Sequence, residues 1–243
     1  MDSATKQSLQ ALDYYHTLTP LEGKHILIIG SAPSQTLKSL SYQKLDVITY
    51  SASLAHSWNN LELPHCTLNP QKLADEYDLI IHVSTKFQTQ NQAQIGRFSQ
   101  HLSEQGLWIS ISHNKLGAKS TQAMVQELFG KVSSLSKSKC RVISAFNSER
   151  FDTTKATLWA QYEQLTAIDG TPFYTYPGIF SADKIDRGSE FLAQFLKQES
   201  WYGIGADFGA GYGYLSHQLL SQRNKIQEIH LYDLDSRASV HRI

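Results

Sequence analysis

Two aspartates and three glycines are the residues of this chain best suited by type and spacing to do chemistry. In ADFGAGYGYLS, residues 206–216, Asp207 is followed by Gly209, Gly211 and Gly213, and Asp233 stands 26 positions after Asp207. Glycine lets a backbone approach a ligand closely and turn tightly into a helix. A carboxylate closing the next strand can accept hydrogen bonds from both hydroxyls of a ribose. The pattern is GxGxG with an acid two residues ahead of the first glycine, not the GxGxxG whose helix N-terminus receives a pyrophosphate. A carboxylate beside the loop suits a cationic ligand better than a phosphate. S-adenosylmethionine, with an ammonium and a sulfonium and no phosphate, is the ligand this chemistry favours. NAD or FAD, and a purely structural turn, are the alternatives.

These residues need a strand before the glycines and a helix after them, and YGIGADFGAGYGYLSHQLL reads so, with Leu215, Leu219 and Leu220 on one helical face. IQEIHLYDLDS reads as the next strand, with an acidic end. The first half has the same rhythm. Leu9, Leu12, Tyr15 and Leu18 mark an amphipathic opening helix, and KHILIIGSAPS is a buried strand entering a turn. LDVITYS (45–51) and YDLIIHVS (77–84) are further strands. Ile95, Phe98 and Leu102 define one face of a helix over Thr89–Gln105 that Gly106 stops, and LWISIS follows as a strand. Ser120 is expected to start a helix carrying Met124, Val125 and Leu128 and ending at Gly130, and CRVISAF is the last strand of this half. Alternating strands and helices imply parallel βαβ units in a doubly wound α/β sheet. FDTTKATLWAQYEQLTAIDGTPFYTYPG supplies a helical piece, a turn at Asp169–Gly170 and an extended aromatic strip. In the segment after it, Phe191, Leu192, Phe195 and Leu196 form an apolar stripe and Ser189 is placed to cap the helix. The expected organisation is residues 1–150, a connection over 151–176, and a second domain begun at 177–243.

The first turn, GSAPS at residues 30–34, is poor in glycine, and Pro33 removes a donor amide. Asp46 lies within the second strand, not at its C-terminal end. The first sheet is therefore expected to be Rossmann-like in shape without a cofactor.

The chain has 243 residues, 41% of them hydrophobic, and 22 Lys+Arg against 22 Asp+Glu. Disorder would need fewer apolar residues and more net charge. No apolar run approaches the roughly 18 residues that span a bilayer, and MDSATKQSLQALDYYH is not ordered like a signal peptide. Cys66 and Cys140 are far apart and read as reduced cytosolic thiols. Ten histidines are scattered without an HExxH, so no metal is expected, and His82, inside a strand, reads as a satisfied core or edge histidine. One stretch is locally basic: Lys115, Lys119, Lys131, Lys137, Lys139 and Arg141 against Glu127 alone. It is either a solvated helix and loop or a phosphate-facing patch.

YPGIFSADKIDRGSEFLAQFL, followed by ADFGAGYGYLS and LYDLDSRAS, resembles the C-type family of small-subunit ribosomal RNA guanine-N2 methyltransferases. SHNKLGAKS and FDTTKATLWAQYE are similar to the family's N-terminal domain and its exit. The resemblance covers the chain from about Tyr77 onward, and Pro177–Ser216 is its specific part. It implies tandem Rossmann-like methyltransferase domains, the first degenerate and the second binding S-adenosylmethionine to methylate the exocyclic amine of a guanine. Carried over, Asp207, Gly209, Gly211 and Gly213 lie under the methionine moiety and Asp233 holds the ribose. Phe180, Ile185, Asp186 and Gly188 match a segment that closes over the cofactor. Core packing is the alternative role for Phe180 and Ile185, and helix capping the alternative for Asp186. The resemblance also implies a cytoplasmic, monomeric enzyme whose partner is ribosomal RNA or the small subunit.

The family does its chemistry with an Asn-Pro-Pro-Phe motif in the second domain, where an asparagine and a backbone carbonyl orient the guanine amine. This sequence has no Asn-Pro-Pro; its one Asn-Pro is Asn69–Pro70 in the first half. The expectation is a C-terminally truncated chain with an incomplete second domain, unable to methylate as it stands, so the catalytic residues are unknown. The alternative is a noncatalytic RNA- or protein-binding module with a vestigial cofactor loop. A nicotinamide-dependent oxidoreductase is a third reading, which NADH binding would single out.

Overall fold

Ile26, Leu27, Ile28 and Ile29 have no exposed surface at all, the burial of a central parallel strand covered on both faces. The structure is a computed structural model and describes residues 3–168, 170–196, 198–222 and 225–238. Its contacts divide the chain into two compact units, Met1–Thr49 with Ser53–Glu163, and Tyr50–Ala52 with Gln164–Ile243.

The first unit runs α1 (Ser3–Leu18), β1 (His25–Ile29), α2 (Gln35–Ser39), β2 (Lys44–Ile48), α3 (Ala52–Asn59), β3 (Cys66–Leu68), β4 (Tyr77–Val83), α4 (Gln88–Ser99), β5 (Leu102–His113), α5 (Ala118–Phe129), β6 (Ser133–Lys137), β7 (Cys140–Phe146) and α6 (Thr153–Ala160). Its seven strands lie in the order β3-β2-β1-β4-β5-β7-β6. The order reverses between β1 and β4, as in a doubly wound sheet. The expected α/β class holds, but the sheet is not wholly parallel: β7 runs antiparallel to both β5 and β6. A two-residue hairpin joins β6 to β7, with Ser138 and Lys139 both left-handed at φ 51° and 59°, the geometry of a tight turn matched to strand twist. Ala11 and Leu12 of α1 are fully buried against the sheet, whereas Leu18 is 58% exposed and drops out of the expected face.

Two expected boundaries move. The helix of residues 89–105 ends at Ser99, and Gly106 lies inside β5. There Gln105 has φ 60° and the β4–β5 register shifts, with Tyr77 opposite Leu102 but Leu79 opposite Leu107. A Cβ on Gly106 would stand 2.9 Å from the Ser103 carbonyl oxygen, so the glycine serves a bulge, not a helix stop. The next helix begins at Ala118, not Ser120, because Gly117 at φ 90° makes the turn into it; Gly130 ends it as expected. α6 packs on α4 at Gly96, where a Cβ would come within 2.7 Å of the Ala156 carbonyl oxygen.

His82 is the satisfied core histidine that its strand position suggested. It is fully buried, with Nδ1 3.3 Å from Ser110 Oγ and Nε2 3.2 Å from Gln94 Oε1. Burial pushes its pKa down to about 4. The GSAPS turn is filled from within: Trp58 Nε1 donates to the Ser31 carbonyl at 2.7 Å, and Ser34 Oγ accepts from Leu37 N at the start of α2. Asp46 is buried in β2, accepting from the Tyr77 hydroxyl at 2.5 Å.

The second unit runs β8 (Thr166–Ala167), β9 (Tyr174–Thr175), α7 (Arg187–Leu196), β10 (Tyr202–Phe208), α8 (Tyr214–Leu220) and β11 (Lys225–Tyr232). β8 and β9 form an antiparallel pair, and β10 and β11 a parallel one. Asp169, in the turn expected at 169–170, lies outside the described residues. Residue for residue this unit buries less: Tyr202 is 82% exposed, Ile204 66% and Phe208 79%.

Candidate functional site

The parallel pair fixes the site. Asp207 sits opposite Leu231 and Phe208 opposite Tyr232, so both strands end together. The Tyr232 carbonyl then accepts from Gly209 N at 2.8 Å and Ala210 N at 3.1 Å, and Gly213 N returns to the Ala210 carbonyl at 2.8 Å. This compact loop needs left-handed backbone at Gly209 (φ 78°), Gly211 (55°) and Gly213 (86°). A Cβ on Gly209 or Gly211 would meet nothing within 4 Å. Backbone conformation demands glycine here, and the space above the loop is open.

Both predicted carboxylates flank this loop, Asp233 bonded to its backbone and Asp207 to the helix that follows it. Asp233 Oδ2 accepts from Gly211 N at 2.9 Å and its Oδ1 from Asp235 N at 2.8 Å. Asp207 Oδ2 accepts from Ser216 Oγ at 2.7 Å, tying the strand end to the first turn of α8; Ser216 is buried. A carboxylate offers about four lone-pair positions, so each keeps acceptor capacity for a ligand.

Asp186 is the capping residue of α7: its Oδ2 accepts from Ser189 N at 2.9 Å and Ser189 Oγ at 3.2 Å. Ser189, expected to cap the helix, is instead a donor within its first turn. Asp186 is also close enough to Tyr212 of the loop to help raise its phenol pKa, after burial and Tyr214, the larger causes. Phe180 is 63% exposed, not packed in a core, while Ile185 is half-buried. Asp207 and Asp233 thus flank open backbone, and Asp186 lies within electrostatic reach of Tyr212 in the same loop, carboxylates suited to a cationic group.

An aromatic cluster holds the loop. Phe173 lies 5.4 Å from Tyr212 in a tilted pair and meets Tyr214 and His217 edge-on at 5.7 and 5.0 Å, ring centre to ring centre. Sequence reading missed a second anchor. Asp235 takes Arg237 through both carboxylate oxygens, at 3.0 Å to Nε and 2.7 Å to Nη2, while Nη1 donates to the Pro177 carbonyl at 3.0 Å. Arg237 is only 8% exposed. This clamp ties the end of β11 to the YPG segment leading to Phe180 and Asp186. The DLDSR run was its only sequence signal.

A groove of about 440 Å³ beside β10 is lined by Leu192, Leu196, Trp201, Ile204, Leu215 and Leu219, with Asp207 and Ser216 at its edge. It is apolar, includes none of Gly209, Gly211, Gly213 or Asp233, and shares Asp207 and Ser216 with the loop site. Among the described residues there is no cluster able to hold a metal ion. Both cysteines are free, and no helix of the described residues is long and apolar enough to cross a membrane.

Residues 170–241 match the family model of the methyltransferase small domain. The chain is similar to the ribosomal RNA small subunit methyltransferase C of Shewanella sp. (strain W3-18-1), 26% identical over 223 residues, covering 90% of this chain and 61% of that protein. It is also similar to the protein of the same name from Salmonella paratyphi B, 29% identical over 119 residues, covering 48% of this chain and 33% of that one. A solved structure of the T. thermophilus 16S rRNA N2 methyltransferase RsmC in complex with AdoMet and guanosine superposes with a TM-score of 0.68 at 18% identity. That match covers 98% of this chain and 64% of the other and shows a shared fold. The chain spans about 61% of the length of the Shewanella relative. The resemblance carried by residues 177–216 is borne out by these matches.

Proposed function

We propose that this chain, similar over most of its length to the ribosomal RNA small subunit methyltransferase C proteins, belongs to a methyltransferase that uses S-adenosylmethionine and acts on the exocyclic N2 amine of a guanine in small-subunit ribosomal RNA. The observation that carries the reading is the loop of Gly209, Gly211 and Gly213, open above its backbone and flanked by Asp207 and Asp233, within the segment matched by the methyltransferase small domain. When bound, the cofactor supplies an electrophilic methyl group on its sulfonium. Asp207 and the glycine backbone face its methionine end, Asp233 accepts from the ribose hydroxyls, and Phe180 and Asp186 close over it. In this reading residues 1–150 are a degenerate methyltransferase-like domain, 151–176 connect it, and 177–243 open the cofactor domain of a cytoplasmic, monomeric protein.

The sequence holds no Asn-Pro-Pro-Phe, so the 243-residue chain by itself is expected to bind cofactor without transferring methyl groups. Exposed Tyr202, Ile204 and Phe208 of β10 with Tyr232 of β11 and the absence of the motif favour a second reading for the chain, a binding module with a vestigial loop. Calorimetric titration with S-adenosylhomocysteine and, separately, NADH tests the proposal. S-adenosylhomocysteine should bind and NADH should not. NADH binding would replace the reading with a nicotinamide enzyme, and binding of neither would leave the module.

A further inference from the structure

In DLDSR the charged residues Asp233, Asp235 and Arg237 alternate, and the structure divides them unequally. The ion pair of Arg237 goes to Asp235, with Nε 3.0 Å from Oδ1 and Nη2 2.7 Å from Oδ2. The Arg237 amide adds a bond to the same Oδ1 at 3.0 Å. Asp233 forms no ion pair among the described residues. A guanidinium that is only 8% exposed is tolerated where it is paired and hydrogen-bonded. Its third nitrogen, Nη1, donates to the Pro177 carbonyl at 3.0 Å. Its face lies 4.2 Å from the centre of the Tyr50 ring, a cation–π contact.

The residue whose side chain holds Arg237 is also the residue whose amide holds Asp233. Asp235 N donates to Asp233 Oδ1 at 2.8 Å, and Gly211 N to its Oδ2 at 2.9 Å. The direction of the Asp235 amide is fixed twice. Its carboxylate is gripped by the guanidinium, and its backbone bridges Ser51 in antiparallel fashion. On either side of that bridge Ala52 N donates to the Leu234 carbonyl and Ser236 N to the Tyr50 carbonyl, both at 2.8 Å. Residues 50–52 group with the second unit. Through Pro177 the same guanidinium reaches the other wall of the site. Gly178 turns there at φ 97° and Ile179 N donates to the Tyr176 carbonyl at 3.2 Å. The chain then runs to Phe180 and to Asp186, which caps α7. One side chain thus joins two segments 60 positions apart.

We propose that Arg237 is a positioning residue for the cofactor. It withdraws Asp235 from the ligand and holds the Asp235 amide on Asp233, so that Asp233 is the carboxylate left to meet the ribose. It also fixes Pro177, the root of the segment bearing Phe180 and Asp186. The inference rests on the S-adenosylmethionine reading above. The role needs a planar fork with a further donor, which a lysine ammonium does not reproduce.

The test is calorimetric titration of the full 243-residue chain with S-adenosylhomocysteine. It compares wild type, Arg237→Met and Arg237→Lys, each also combined with Asp233→Ala. Arg237→Met should weaken binding about tenfold on its own but less than about twofold beside Asp233→Ala, where no carboxylate is left to position. A merely structural role would cost the same in both backgrounds. Arg237→Lys keeps the charge and loses the fork, so its urea midpoint should stay near wild type while its affinity falls severalfold. It carries the test by itself if Arg237→Met does not fold. Lys225→Met removes a cation from the exposed start of β11 and should leave affinity unchanged. In Arg237→Lys the amides of Gly211, Asp235 and Ile179 should exchange faster together by NMR. Those of Gly209 and Ala210, held by the Tyr232 carbonyl, should not change. Wild-type affinity in the Arg237 variants, equal losses with and without Asp233, an equal loss in Lys225→Met, or unmoved exchange at Ile179 overturns the positioning role. Any of these with wild-type binding intact leaves the cofactor reading standing. No S-adenosylhomocysteine binding by wild type defeats both.

Discussion

Asp233 is where the cofactor reading is most exposed to refutation. Its two carboxylate oxygens already accept from Gly211 N and Asp235 N, at 2.9 and 2.8 Å. That uses two of about four lone-pair positions, and the remaining two match the two hydroxyls of a ribose. A hydrogen bond to a charged acceptor contributes about 1.5–3 kcal/mol. Asp233→Ala removes both ribose bonds and releases the amide that holds Gly211 in place. Allowing for water replacing part of the loss, the net cost to ligand binding is about 3 kcal/mol, and S-adenosylhomocysteine affinity should fall at least a hundredfold. Asp233→Asn keeps one oxygen for a backbone amide and turns the other position into a donor, so it should fall between wild type and alanine. Isothermal titration calorimetry measures the affinities, and urea unfolding monitors the fold. Loss of the two loop bonds alone predicts a stability decrease of about 1–2 kcal/mol, because both amides can reach water. The reasoning fails if Asp233→Ala stays folded and binds within threefold of wild type, since the carboxylate would then be a loop anchor only.

Three further outcomes follow from other parts of the fold. Gly211→Ala meets no neighbour but forces alanine to φ 55°; it should cost about 1 kcal/mol and weaken S-adenosylhomocysteine roughly fivefold, and unchanged affinity would show that the loop tolerates another conformation. Gly96→Ala puts a methyl 2.7 Å from the Ala156 carbonyl oxygen, so α4 and α6 must part. Despite alanine's better helix propensity, thermal unfolding should move down, by about 1–3 kcal/mol of overpacking, and a rise would refute the close approach. His82 is held neutral, its pKa lowered from 6.5 to about 4 by burial. The unfolded chain therefore takes up the proton first. Stability is full above pH 6.5 and is lost as pH falls through 4, by about 3 kcal/mol. Denaturant unfolding between those limits should show this slope in wild type and lose it in His82→Gln; an equal slope in both would mean another group titrates.

The central strands were legible because burial on both faces leaves a continuous apolar run, as at Ile26–Ile29. Edge strands leave no such mark. β6 is SSLSK with only Leu135 partly buried, and β3 is three residues, Thr67 exposed between half-buried Cys66 and Leu68, so neither was expected. Gly106 looked like a helix stop because a glycine in a bulge and a glycine at a helix end are the same letter; only the pairing of β4 with β5 separates them. The glycine–aspartate loop was legible because its conformation depends on residue type at short range. The Arg237 clamp was not, since its Pro177 partner is 60 residues away.

The two βα turns show what a ligand site requires of a shared fold. At Gly30 a Cβ would come within 3.1 Å of the Val83 carbonyl oxygen, the Ser31 carbonyl is taken by Trp58, and Ser34 is spent on its own helix. These groups are committed within the turn. At Gly209 and Gly211 the backbone is equally constrained in φ, yet no atom lies above it within 4 Å, and the carboxylates bonded around the loop keep spare acceptors. Left-handed glycines are common to both turns, so they cannot be what distinguishes a cofactor loop. The distinction lies in what the neighbouring side chains do with the space: Trp58 is committed to the first turn, while Asp207 and Asp233 brace the second from its sides.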